Sequence, residues 1–276
     1  MNAPNVMKKI HRFKPILGMC SQGQPRSGVN DGGLYLYNNV FRNICDAKPY
    51  VVQHAQFDSA EGYLRLYQLC NRLHRPLLLG GDHSVSSSSV LASLQKYKDL
   101  HVIWVDAHPD IHTYDSTESG NTHGTPLSIA TGLEQQHWAS RMSLPKLEFD
   151  RLTYVGIRDI DKWEGQVIEE KKIRVLDVNG TVEFIKNLDA PVHISFDVDS
   201  LDPELMCSTG TKVPNGLDCG DVKSIIGAAL ATDKLVSLDV VEFNTALGSP
   251  EKSLLAIKEI FGDDAEGLTD EEDLLG

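Results

Sequence analysis

The chain has 276 residues, 41% hydrophobic and 24% charged, with a formal net charge of −13. These values suit a soluble, core-forming domain, and the acidic balance argues against a nucleic-acid binder or a polybasic membrane-surface protein. Five scattered cysteines (Cys20, Cys45, Cys70, Cys207, Cys219) form no CxxC pair, which speaks against a disulfide framework or a cysteine zinc site and for a reducing, cytoplasmic compartment.

The opening MNAPNVMKKIHRFK lacks the apolar run of a signal peptide. Residues 15–19 read as a first buried strand, and 60–73 as a helix capped by Ser59. Strand-like 76–79 leads to a helical pattern over 85–97, with Ser84 as its expected cap. Residues 102–105, 152–156 and 173–176 follow as strands, and 182–188 as a helix behind Thr181. Then come strand 192–196, helix 222–231, strand 235–241, and helix 251–260 behind Ser249 and Pro250.

The strand runs are nearly continuously apolar, as expected for parallel strands covered on both faces. Strands alternating with helices predict a single α/β domain over residues 1–262, three layers (α-β-α) with a mostly parallel sheet. From Asp263 onward come seven acids and no base, so residues 263–276 read as a solvated, disordered tail.

In open α/β sheets ligands bind beyond the carboxyl ends of the strands. Four strand ends here carry acids or imidazoles. LLLGGDHS supplies Asp82 and His83; VIWVDAHPDIH supplies Asp106, His108, Asp110 and His112. HISFDVDSLDP supplies Asp197, Asp199 and Asp202, and VSLDVVEFN supplies Asp239 and Glu242. Where a strand stays extended, alternate residues share a side, so Asp106 with His108, and Asp197 with Asp199, are expected to converge. Gathered carboxylates repel one another, and dications relieve that repulsion. Imidazoles among carboxylates suit manganese, with zinc, iron or cobalt as competitors. Any one motif has a bland reading, as a capped turn or a solvated acid pair. Three in order, each after a hydrophobic strand, point to a metal site. No GxGxxG or GxxxxGK[ST] opens a helix, so nucleotide binding has little support.

GGDHS, DAHPD and SFDVDSLDP together resemble the signatures of the ureohydrolase family, which includes arginases and agmatinases. GQPR, SGNTHG and GIRDID make the chain most similar to the arginases within that family, over nearly its whole length. The resemblance implies the arginase-like α/β fold and two Mn2+ per subunit. One ion would be held by His83, Asp106, Asp110 and Asp197, the other by Asp106, His108, Asp197 and Asp199, so that Asp106 and Asp197 bridge. It further implies hydrolysis of L-arginine to L-ornithine and urea by a metal-bridging hydroxide.

In that reading Asp110, His123 and Glu242 are catalytic: Asp110 handles the hydroxide proton, His123 transfers protons, and Glu242 holds the guanidinium. His112, Ser119, Asn121, Asp161, Glu164 and Thr211 would bind the rest of the substrate. Ser119 and Asn121 fit its carboxylate, Asp161 and Glu164 its ammonium, and Thr211 its guanidinium end. A homo-oligomer, a trimer by resemblance, is expected, with no nucleic-acid or membrane partner. Two rival readings are an agmatinase or other guanidino or amidino hydrolase, and a noncatalytic arginine- or metal-binding protein. The sequence departs from the family pattern at His112, where the arginases usually carry Asn, and at Met206, Cys207 and Lys212.

Overall fold

Short runs of leucine, isoleucine and valine can satisfy their backbone polar groups and bury both faces only inside a covered sheet. In the computed structural model, which describes residues 7–262, they do so. The described strands are β1 (Lys14–Gly18), β2 (Tyr50–Val52), β3 (Pro76–Gly80), β4 (His101–Val105), β5 (Leu152–Val155), β6 (Arg174–Val175), β7 (Val192–Asp197) and β8 (Leu235–Val241). They form one parallel sheet in the order β2-β1-β3-β8-β7-β4-β5-β6. The acidic tail expected from Asp263 onward lies outside the described residues.

Alternate strand residues feed two cores. Leu77, Leu79, Ile103, Ile194, Phe196 and Val240 face helices Gly32–Asn39, Val178–Asn187, Cys219–Ala231 and Pro250–Phe261. Leu78, Val102, Trp104 and Val241 face helices Ala60–Arg72, Ser86–Lys96 and Pro126–Thr131. The fold is thus the expected three-layer α/β arrangement. Among the described residues no helix is long and apolar enough to cross a membrane.

Several expectations need correction. β2 escapes the hydrophobic pattern because it is a three-residue edge strand with Tyr50 and Val51 about 40% exposed. Thr181 is buried inside helix Val178–Asn187, whose cap is Asp177, accepting from the Gly180 N–H at 2.7 Å. Ser84 does not cap helix Ser86–Lys96; its own N–H is donated to Asp82 at 3.0 Å. Ser59 and Ser249 cap as expected, with Pro250 in the first turn. Helices Gly32–Asn39, Pro126–Thr131 and Lys162–Lys171 were not marked by their apolar spacing.

Candidate metal centre

The site rests on the four central strands. β3, β8, β7 and β4 are consecutive neighbours in the sheet, so their carboxyl ends stand side by side although 159 residues separate His83 from Glu242. Three of these ends repeat one device. Asp82 accepts the Ser84 N–H at 3.0 Å, Asp106 the His108 N–H at 2.8 Å, and Asp197 the Asp199 N–H at 2.7 Å. Each is an Asx turn, in which a short carboxylate mimics a backbone acceptor. The expected convergence of Asp106 with His108 therefore arises through a turn rather than through an extended strand. The turn uses one oxygen of each aspartate and aims the other: Asp106 and Asp197 into the site, Asp82 at the Gly23 N–H, 2.9 Å away.

His83 Nδ1 is the focus. Asp106 Oδ2 lies at 3.0 Å, Asp110 Oδ2 at 2.9 Å and Asp197 Oδ2 at 3.1 Å, yet this fully buried nitrogen has no aligned hydrogen-bond partner. A second group lies alongside, with His108 Nδ1 3.2 Å from Asp199 Oδ2 and 3.5 Å from Asp106 Oδ1. Asp106 thus turns one oxygen to each group, as a bridge must. Asp197 joins the first group through Oδ2, while its Oδ1 is engaged by Asp199. Burial and neighbouring carboxylates push Asp197 well above the usual carboxylate range and Asp110 up to about 6. An orphaned imidazole nitrogen inside a self-repelling carboxylate shell fits a bound cation, and the mixed N/O donor set fits a first-row transition metal.

Behind this shell two residues hold the ligands. Trp104 stacks on the His83 ring, with centroids 4.2 Å apart and planes within 6°, and donates Nε1–H to Asp106 Oδ2 at 2.9 Å. Ser195 accepts from His83 Nε2 at 2.9 Å and donates its hydroxyl proton to Ser86 Oγ at 3.1 Å. Each stands two residues before a strand-end aspartate and so shares its face of the sheet. That spacing was the signal by which sequence could have found them.

Glu242 is buried, its Oε1 accepting from the His83 N–H at 2.9 Å and from His123 Nδ1 at 3.2 Å. Burial opposes its charge, but the His123 bond and charge hold its pKa below the usual value. Burial likewise opposes protonation of His123, yet Glu242, Asp110 and Asp82 push it up to about 9. Asp110 and Glu242 both adopt left-handed backbone, with φ of 49° and 66°. Such conformations cost non-glycine residues about 1–3 kcal/mol each and persist only where surrounding structure enforces them.

A cleft opens over the site, touching His108, Asp110, His123, Asp199 and Thr211 on its inner side, with His112, Asp159, Asp161 and Glu164 completing the wall. Thr211 donates to Asp199 Oδ2 at 2.7 Å. His112 Nε2 lies 2.7 Å from Asp161 Oδ2, and its ring stacks on Trp163. Burial, with the charges of Asp110 and Asp161, pushes Glu164 up to about 8. Ser119 and Asn121 do not line this cleft; Ser119 Oγ instead accepts the Asn121 N–H at 3.2 Å within their own loop. Two acids named with the motifs stand apart. Asp202 caps the Glu204 N–H, and Asp239 is buried beneath helix Ser86–Lys96 against His193, 3.1 Å away. Gln24, from the GQPR segment, was assigned no role by sequence, but donates to Glu242 Oε2 at 2.6 Å.

Fold and site together define a three-layer α/β protein with His/Asp groups positioned for a paired-metal site. The family model described as "Arginase family" matches residues 26–263, and the chain belongs to that family. The arginase of Glaciozyma antarctica is 32% identical, aligned over 83% of this chain and 79% of its own length. That of Eremothecium gossypii is also 32% identical, over 85% and 69%. Among solved structures, the Entamoeba histolytica arginase in complex with L-ornithine superposes with a TM-score of 0.80 at 27% identity, covering 91% of this chain and 97% of that one. The Bacillus subtilis arginase gives 0.78 at 26% identity, over 91% and 98%.

Proposed function

We propose that the protein hydrolyses the guanidino group of L-arginine to L-ornithine and urea with two Mn2+ ions per subunit. The carrying observation is the convergence of Asp106, Asp110 and Asp197 on the orphaned His83 Nδ1, with the buried Glu242–His123 pair adjoining it, in a chain of the arginase family. The L-ornithine in the Entamoeba relative supports the substrate.

His83, Asp106, Asp110 and Asp197 would hold one ion and Asp106, His108, Asp197 and Asp199 the other; together the ions would lower the pKa of a shared water and polarise it for attack. Glu242 attracts the planar guanidinium and holds its carbon before that water. The water oxygen would bond to this carbon as the bond to the chain nitrogen breaks; one water proton would pass by way of Asp110 to the departing nitrogen, and the other would replace the proton that His123 gives to the same nitrogen, leaving urea and an ammonium. His123, charged through its pairing with Glu242, supplies and recovers protons at the cleft. Thr211 keeps Asp199 in place. At the far end Asp161 and Glu164 accept from the α-ammonium, with His112 beside Asp161, while Ser119 and Asn121 would reach the carboxylate only by turning from their loop into the cleft. The enzyme works in the cytoplasm, in keeping with five free cysteines, as a homo-oligomer, with a trimer expected from resemblance.

One observation favours a second reading, hydrolysis of agmatine, which lacks the carboxylate: Asp159, Asp161 and Glu164 line the cleft but Ser119 and Asn121 do not. Urea release from L-arginine and from agmatine, measured with added Mn2+ beside bound-metal stoichiometry, tests both. A clear preference for agmatine overturns the arginine assignment and leaves the metal site standing. Absence of turnover with either, in the metal-loaded protein, overturns both.

A further inference from the structure

The GQPR segment crosses the top of the site as a strap. At its start, the Gly23 N–H is donated to Asp82 Oδ2 at 2.9 Å, and the Gly23 carbonyl accepts the His123 N–H at 3.1 Å. The approach is so close that a Cβ on Gly23 would run into Asp82 and come within 2.9 Å of the His123 nitrogen. Only glycine fits there without moving one of them. At its other end the strap is tied to the residues just after Glu242. Asn244 Nδ2 donates to the Ser27 carbonyl at 3.0 Å, and Thr245 Oγ1 to the Gly28 carbonyl at 3.1 Å. Between these anchors lies Gln24, 8% exposed, its amide on Glu242 Oε2 at 2.6 Å.

We infer that this strap is the positioning element of the Glu242–His123 pair, with Gln24 as a further specificity-determining residue; this rests on the proposed role of Glu242 toward a guanidinium. The geometry divides the Glu242 carboxylate between two tasks. Oε1 is taken by His83 N–H and His123 Nδ1–H, and Gln24 fixes Oε2 and with it the plane of the carboxylate. That plane matters because a guanidinium is recognised in its own plane by paired N–H···O bonds. A neutral amide is the fitting donor, since a cation at position 24 would neutralise the charge that attracts the substrate. Asp82, whose second oxygen faces away from the metal site while those of Asp106 and Asp197 face into it, serves as the strap's anchor.

The test uses the full-length, Mn2+-loaded protein. Gln24→Met keeps length and removes the donor. Its KM for the guanidino substrate should rise about tenfold or more, with kcat within about threefold, the split expected when a ground-state contact is lost. Metal content and Tm should match the native protein. Gln24→Glu sets two carboxylates together, so its KM, relative to native at each pH, should fall back as pH is lowered and the pair shares a proton. Crystals of Gln24→Met should show the Glu242 carboxylate rotated out of its native plane, with Oε2 displaced and the Oε1 contacts to His83 and His123 kept. Native KM in Gln24→Met, or loss of kcat together with metal, overturns the inference, as does an unmoved Glu242. Should the native protein turn over no guanidino compound, the proposed function fails instead, and the position of Glu242 in the variant crystals still decides the strap's role.

Discussion

His112 Nε2 lies 2.7 Å from Asp161 Oδ2, and the other Asp161 oxygen accepts the Glu164 N–H at 2.8 Å, so both oxygens of the residue proposed to meet the substrate ammonium already face a polar neighbour. The imidazole is held on three sides, with Ser116 Oγ 2.9 Å from Nδ1 and Trp163 stacked 5.2 Å from its ring. His112→Asn shortens the side chain and frees Asp161. The expected result is a KM for L-arginine lowered about three- to tenfold, the worth of one recovered charge-assisted bond. A guanidino acid without the α-amino group should show little change. Steady-state kinetics on both substrates check this, and equal shifts for the two would remove Asp161 from ammonium recognition.

Ser195 and Trp104 fix the ligands rather than bind the metal. Partners of this kind typically change metal affinity by about 10–100-fold. Ser195→Ala leaves His83 Nε2 without its acceptor, and Trp104→Phe keeps the stacking but deletes the N–H donated to Asp106. Both variants should bind Mn2+ more weakly by that factor, as read by calorimetric titration, while kcat at saturating metal falls less. Unchanged affinity in Ser195→Ala would mean that packing alone orients His83.

Asp106 faces both ligand groups, so Asp106→Ala should lose both ions, and Asp197→Ala should retain fewer than two. His123→Ala touches neither group; it should keep near-native metal and turn over more slowly, by about 10²–10⁴-fold if the residue acts in general acid–base catalysis. Metal analysis after dialysis separates these cases. Two retained ions in Asp197→Ala would contradict its place in the site.

His101, the first residue of β4, is 4% exposed, with Thr153 Oγ1 2.9 Å from its Nε2. Burial, then the charge of Arg174, lowers its pKa from 6.5 to about 4. Between those values the unfolded chain binds a proton that the folded chain does not. Its contribution to stability is therefore complete above about pH 6.5 and is lost as pH falls toward 4, up to about 3 kcal/mol. Urea unfolding at pH 7 and pH 4.5 should show this loss in the native protein and a smaller one in His101→Gln. Equal losses would assign the acid sensitivity to other groups.

Much of the chemistry was written locally. Residue types within GGDHS, DAHPD and SFDVDS named the ligands, because each motif sits at the end of a strand whose unbroken hydrophobicity reveals its burial. β8 was legible to its exact bounds for the same reason. The edge strand β2 was not, because three residues, two exposed and only Val52 buried, leave no periodic trace. Nor was helix Lys162–Lys171, whose exposed, charged faces carry little apolar spacing.

Gln24 marks the boundary most clearly. The sequence alone determined that a metal-binding set exists, since carboxylates and imidazoles after buried strands have few other uses. Tertiary structure decided which strand ends are neighbours, through the order β3-β8-β7-β4, and which way the second oxygen of each aspartate points, through the Asx turns. It also brought Gln24 onto Glu242 across 218 residues, and set His112 Nε2 beside Asp161. Side-chain pairing over such distances depends on sheet order and loop closure, which no local pattern of residues encodes.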